Sequence, residues 1–310
     1  MSSEITTAFV KQYGANVFHL SQQKGSRLRN RVRVETVKGD SRFFDRIGKA
    51  TAALRVGRHS DTPQMDTPHS RRMVTMSDYE YADLVDDQDK IRTLIDPTNE
   101  YSVAAQWALG RSMDDVLIDA ASGNAYAGVA GATSTALPSA QKLVSVSGGA
   151  GDELNVQALR RAAKILDAND VDESEPRHFA FNAYQKENLL SATEVTSSDF
   201  NTIKALVMGN ISTFLGFDFV RIERLDDVGA STSFDVTLGT VGSGAGDSNG
   251  YDICLAWAKN GLLLALGADI KSQIAPRADK SFSTQVYCSM SIGGTRMEEE
   301  KVVEVHCKDT

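Results

Sequence analysis

The side chains able to do chemistry are few and scattered. Five histidines (His19, His59, His69, His178, His306) stand far apart, with no two at the spacing that sets metal ligands on one helix face. His59 and His69 flank a stretch holding Pro63 and Pro68, which reads as a surface turn. Gly242-Ser243-Gly244-Ala245-Gly246 resembles part of a phosphate loop but lacks the Lys-Ser/Thr ending. Val241 stands where a nucleophile elbow needs glycine. Six acids lie between Asp78 and Asp89 without the central glycine and closing glutamate of a calcium loop, so they read as a solvated or partner-facing edge. Asp114-Asp115 and Asp226-Asp227 are paired acids whose partners the sequence does not supply. Cys254, Cys288 and Cys307 make neither an even set nor a metal spacing, which fits a reducing compartment. No catalytic residue, cofactor site or metal site is expected, and the chain does not read as an enzyme.

Charge is the stronger signal. The chain carries a net −8, yet from Lys24 to Arg58 eleven Lys/Arg face only Glu35, Asp40 and Asp45, a local +8, leaving −16 for the remainder. Opposite blocks in one chain pair within a subunit or between neighbours. The competing reading is a nucleic-acid-binding protein using residues 24–58, which carries less weight because Val32, Val34, Phe43, Phe44 and Ile47 interrupt the basic run.

The elements that must position these charges follow from patterning. At 310 residues, 41% hydrophobic and 24% charged, the chain is long enough for two compact units of a soluble, folded protein. Its longest apolar stretch, Gly261 to Gly267, is far too short to span a bilayer, and its N-terminus lacks the layout of a signal peptide. The clearest element is a helix over Pro97–Ser122, capped by Asp96, with an apolar face from Tyr101 through Ala105, Leu109, Met113, Leu117 and Ala121, and a left-handed stop at Gly123-Asn124. At roughly 25 residues it would be about 38 Å long, a spine for other layers or an ordinary core helix.

Before it, Arg31–Val37 and Asp78–Asp86 alternate as half-buried strands. Between them Ile47–Val56 and Arg71–Met76 form the arms of a hairpin around Arg58–His69, roughly 15 residues per arm and some 50 Å long. It has too little apolar content for a core of its own, so either a neighbouring subunit holds it or it is a surface loop. After the helix come a Gly/Ala/Ser-rich connection with a strand at Lys142–Val146, then helices at Leu154–Ala168, Ala183–Leu190 and Asp199–Met208. Strands are expected at His178–Phe181, Ile211–Phe214, Phe217–Ile222, Phe234–Leu238, Tyr251–Ala258, Phe282–Ile292 and Val302–His306, with Leu262–Ala265 ambiguous and Gly293–Met297 joining the last two. Irregularly interleaved helices and strands point to α+β, not a doubly wound sheet.

In this order, from about Val32 to Val305, the segments resemble the major capsid protein of tailed double-stranded-DNA bacteriophages, the Hong Kong 97-like fold. The features that carry the likeness are the basic hairpin, Tyr79–Val85 leading into Pro97–Ser122, Ala163-Lys164-Ile165-Leu166-Asp167, His178–Asn182, Ser198-Asp199-Phe200, Gly209–Phe217 and the closing Gly293–Arg296 with Lys301–Val305. Thr62-Pro63 through Arg71-Arg72 and Val85–Asp89 are similar to a subgroup of such proteins.

The resemblance implies an N-terminal arm with the first strand (1–40), an extended loop (41–76), a peripheral domain with a spine helix (77–150 and 277–310) and an axial domain (151–276). It implies self-assembly, as pentamers and hexamers, into an icosahedral head shell around double-stranded DNA. The protein would be made in the host cytoplasm and end in the virion, with no membrane involved. A separate scaffolding protein, a portal and a decoration protein are the other implied partners. Contacts between subunits are expected to draw on Arg46, Lys49, Arg55, Arg58, Arg71 and Arg72 against Asp83, Asp86, Asp87 and Asp89.

Overall fold

The computed structural model describes residues 19–55, 57–58, 61, 64–86, 98–147, 150–151, 153–191, 213–227 and 251–308. They belong to two compact units woven from separate stretches of chain. The larger draws on 27–77, 113–267 and 292–310, the smaller on 1–26, 78–112 and 268–291. The expected helix at Asp199–Met208, the strand at Phe234–Leu238 and the cap residues Asp96 and Pro97 lie outside the described residues.

In the larger unit β11 (Thr213–Phe214), β12 (Phe217–Arg221), β10 (Arg177–Phe181), β13 (Tyr251–Ala258), β16 (Val302–Lys308) and β7 (Lys142–Val144), in that order, form a six-stranded sheet. It is mixed: β10 runs parallel to β12 and antiparallel to β13, and β16 antiparallel to β13 and parallel to β7. That is the α+β arrangement expected from the element order.

All five residues of β10 are buried, Arg177 and His178 along with Phe179, Ala180 and Phe181, as suits a central strand. Phe179, Phe181, Phe217 and Phe219 stack with ring centroids 5.4 to 6.4 Å apart. Burying each such ring is worth about 2–3 kcal/mol. Over them lie α2 (Val156–Ala168), through Leu159, Ala162 and Leu166, and α3 (Ala183–Ser191), through Leu189.

Asn155 begins α2, its side chain accepting the Ala158 N–H at 2.7 Å. Asn182 caps α3 in the same way, accepting the Gln185 N–H at 2.8 Å. The amides of Asn182 and Gln185 both donate to the buried Asp252 carboxylate, which ties the start of α3 to β13. Leu215 and Gly216, both at positive φ, make the tight turn between β11 and β12.

The hairpin begins earlier than its composition suggests. β2 (Ser41–Ile47) and β3 (His69–Thr75) pair from Ser41↔Thr75 to Ile47↔His69, half the arm length expected, and β5 (Ala125–Ala127) and β6 (Thr133–Thr135) extend the sheet beyond β3. Phe44 and Val74 point inward and are buried with Val37, Leu263, Ala265 and Met297. Residues 50–55 offer no such alternation and are all exposed. The base of the hairpin is therefore held by a core that other segments of the same chain share, a holder the sequence reading did not name.

Several elements contribute residues to both units, among them α1 (Thr98–Ser122), β14 (Leu262–Pro276) and β15 (Thr284–Arg296). The helix has the expected span. Gly123 ends it without a left-handed turn: its N–H bonds the Asp119 carbonyl at 2.8 Å, and a Cβ there would lie 2.5 Å from the same oxygen. β14 and β15 join β1 (Arg33–Thr36) and β4 (Ser77–Val85) in a sheet ordered β1-β14-β15-β4. β1 shows little of the expected alternation, since Val34 is exposed while the flanking Val32 and Val37 are buried. β8 (Val146–Ser147) and β9 (Ala150–Gly151) form a separate ribbon.

Two late boundaries move. β14 continues eleven residues past Ala265, because the hydrophobic signal stops at Leu266 while the strand does not. Gly293–Arg296 belong to β15, and residues 297–301 make the connection to β16. Both glycines read as breakers, but they are sites of close approach. A Cβ on Gly293 would sit 2.2 Å from the Thr75 carbonyl oxygen, and one on Gly294 would sit 2.9 Å from that of Val116 in α1. Gly293→Ala is expected to destabilise the subunit by about 1–3 kcal/mol, since backbone must move. A urea midpoint equal to wild type would contradict this.

Candidate functional site

Groups from distant parts of the chain meet Asp114 and Asp115, two of the acids that had no partner in the sequence. Asp114, 0% exposed, accepts the backbone N–H groups of Arg27 at 2.9 Å and Leu28 at 3.1 Å, fastening the incoming arm to α1. Its position beside Met113 and Leu117, on the apolar stripe, is the sequence signal that marks it. Asp115 receives Arg224, with Nη2 2.6 Å from Oδ2.

A buried charge cluster was not anticipated at all. Arg296, 0% exposed, donates to the carbonyls of Ala121 at 2.8 Å, Gly123 at 2.8 Å and Thr135 at 3.1 Å, setting a cation at the C-terminal end of α1. Arg72 pairs with Glu299, and Arg46 stands 3.6 Å from the same carboxylate while donating to the Met297 carbonyl. Burial lowers the pKa of both Arg72 and Arg296, with Glu299 opposing it. On the sheet, Lys142 lies 3.3 Å from Glu304, whose carboxyl burial pushes up.

Arg72 therefore departs from its expected role. It is wholly buried inside its own subunit, because register with Phe44 turns it to the core side of the hairpin sheet. Arg71, one residue earlier, points outward and meets Asp45 across the ladder at 2.6 Å. Lys49 is exposed, 3.1 Å from Asp170. Arg55 donates to the carbonyls of Gly57 and Arg58, and it and Arg58 are exposed without a carboxylate partner among the described residues. Leu54 beside them is 90% exposed.

In the smaller unit β4 alternates as its sequence predicts, with Tyr79, Tyr81, Asp83 and Val85 on the more buried side. Asp83 accepts the Tyr81 hydroxyl at 3.3 Å, and Asp86 meets the Ser283 hydroxyl. Asp87 and Asp89 lie outside the described residues. Much of the basic block is engaged within the subunit: Arg33 and Arg42 on Glu35, Arg31 on the Arg27 carbonyl, and Arg27 on that of Arg221. Those contacts occupy cations that a nucleic-acid reader would present.

His178 on β10 and His306 on β16 are buried, and burial lowers each from 6.5 to about 4. At His178 the Asp218 carboxylate, 3.8 Å away, opposes the shift while Arg31 and Lys259 reinforce it; at His306 Lys142 reinforces it. The folded chain thus refuses protons that the unfolded chain accepts. Their contribution to stability is complete above pH 6.5 and is lost as pH falls toward about 4, at about 1.4 kcal/mol per pH unit for each histidine. Raised Glu304 works in the opposite sense beside His306, so His178 gives the cleaner test. His178→Phe should flatten the fall in unfolding free energy between about pH 6 and pH 4.5 by about 1.4 kcal/mol per unit. An unchanged slope in urea titrations would refute it.

Among the described residues there is no cluster of three metal-ligating side chains and no helix long and apolar enough to cross a membrane. What the described residues offer is a set of charged surfaces. The sequence matches the family described as phage capsid protein over residues 5–309. No curated protein matches it. Among solved structures it is similar to the capsid of cyanophage P-SCSP1u, at 17% identity and TM-score 0.74, covering 100% of this chain and 96% of that one. It is similar to the capsid of Ralstonia phage GP4 at 12% identity and TM-score 0.72, covering 97% and 96%. The acid-stable capsid of Helicobacter pylori bacteriophage KHP30 is 11% identical with TM-score 0.69, covering 99% and 98%. These likenesses show the Hong Kong 97-like fold.

Proposed function

The chain belongs to the phage capsid protein family, and from that premise we propose that its hairpin and acidic strand join each copy to its neighbours in an icosahedral head shell around double-stranded DNA. It is a major capsid protein, and its role in the virion is structural. The observation that carries this is the family match across residues 5–309. The reading of the parts follows the sequence: an arm and first strand at 1–40, an extended loop at 41–76, a peripheral domain at 77–150 and 277–310 carrying the spine helix, and an axial domain at 151–276.

The exposed cations Arg55 and Arg58, with Lys49 and Arg71, reach carboxylates of adjacent copies, among which Asp83, Asp86, Asp87 and Asp89 are the candidates. Lys49 and Arg71 would exchange the exposed carboxylates they now hold, Asp170 and Asp45, at little cost, since such pairs are worth at most about 1 kcal/mol. Repeated at every interface they set register. A separate scaffolding protein, a portal and a decoration protein complete the particle, and DNA lies against the inner surface. Negative-stain electron microscopy of the purified chain tests the assembly: uniform polyhedral shells or ring-shaped pentamers and hexamers are expected, and a monomer in every condition would overturn it.

A further inference from the structure

The loop between β14 and β15 holds an aromatic residue in water under strain. Ser281 and Phe282 both take left-handed backbone, at φ 51° and 61°, a region that side chains other than glycine and asparagine avoid and that is an outlier for a bulky one. Phe282 is 66% exposed. The loop is not slack: Arg277 N–H bonds the Ser283 carbonyl at 2.9 Å, and Lys280 N–H bonds that of Arg277 at 3.2 Å. Ser283 N–H bonds the Lys280 carbonyl at 2.9 Å, and Arg277 Nε meets Asp279 at 2.8 Å. Buried Ser283 anchors the base of the loop against Asp86. A backbone built to present a phenylalanine outward, at a cost to the lone subunit, points to a role outside that subunit.

The same unit carries a surface of matching character. β4 is an edge strand, and its more exposed side presents Asp78, Glu80, Ala82 and Leu84, acids toward one end and apolar residues toward the other, with Leu84 41% exposed. Residues 271–283 hold Lys271, Arg277 and Lys280 against Asp279, a net +2, while residues 78–86 hold Asp78, Glu80, Asp83 and Asp86, a net −4. An aromatic two residues from Lys280 fits a stripe of acids running into leucine.

We propose that this loop is an assembly plug: Phe282 of one copy packs on Ala82 and Leu84 of β4 in a second copy, with Lys280 beside Asp78 and Glu80. The contact is heterologous, since the two patches differ, and such contacts close into rings or shells. It rests on the reading of the chain as a self-assembling shell protein, and the partner is a second copy because the loop's complement is a surface of the chain itself.

The test is sedimentation velocity of the purified full chain over a concentration series, reading the concentration at which half the protein is assembled. Phe282→Gly and Leu84→Ser are each expected to raise it about tenfold, the scale of losing one buried apolar side chain at an interface. Together they should raise it little further, since each removes the same contact. The melting temperature of the unassembled Phe282→Gly subunit should stay level or rise, because glycine accepts the left-handed backbone. Wild-type assembly by Phe282→Gly, or fully multiplicative effects in the double variant, overturns the plug and leaves the shell reading intact. A wild-type chain that stays monomeric at every concentration removes both.

Discussion

Deleting Arg58–His69 is expected to leave a soluble, folded subunit that no longer forms closed shells. The described residues of that stretch are exposed, apart from the partly exposed Thr67, and none belongs to a hydrophobic core. The deletion removes one ladder pair, Ile47↔His69, and the Gly48 N–H bond to the Pro68 carbonyl, and leaves Phe44 and Val74 in place. The cost to subunit stability should stay near 1 kcal/mol, in line with other changes remote from a core. On the proposed role of the hairpin, the deletion also removes Arg58 and the geometry of the tip that carries Arg55 from every interface, so the count of closed particles in electron micrographs should fall to background. Normal particles from the deletion, beside an unchanged melting temperature, would sink the proposed role of the hairpin.

Arg296→Met has the opposite profile, a loss of subunit stability before assembly begins. Methionine nearly fills the volume, so the loss is polar: the carbonyls of Ala121, Gly123 and Thr135 lose the cation they accept from. Stranding buried groups of an ionic cluster costs about 3–5 kcal/mol, against a total of about 5–15 for a typical domain. Urea unfolding of unassembled subunits should show the midpoint falling by a third or more at unchanged slope. An unchanged midpoint would show that the cluster contributes nothing. Replacing the whole cluster with packed apolar residues need not be harmful, because a buried ion pair carries its own desolvation cost.

Much of the fold was legible because its signals are local. The apolar stripe of α1 and the alternation of β4 each lie within one element and obey its period. The errors share a cause. Residues Gly267–Pro276 are mostly exposed and hold only Ile270 and Ile274 as large apolar residues, so their composition marks strand weakly; partner strands fix it. Gly293 and Gly294 look like a break until Thr75 and Val116 are set against them.

Residue types and order by themselves determined the class, the element sequence, the split of charge into basic and acidic blocks, and the resemblance to a capsid subunit. The tertiary structure alone decided which charges are exposed and which are buried. Arg71 and Arg72 are neighbours of the same type, yet one faces water and the other pairs in the core with Glu299, 227 residues away. Asp114 likewise waits for backbone N–H groups 86 and 87 residues upstream. A strand's period of two assigns its side chains to opposite faces, but the packing of distant segments determines which face is buried, and with it which charges each copy can offer its neighbours.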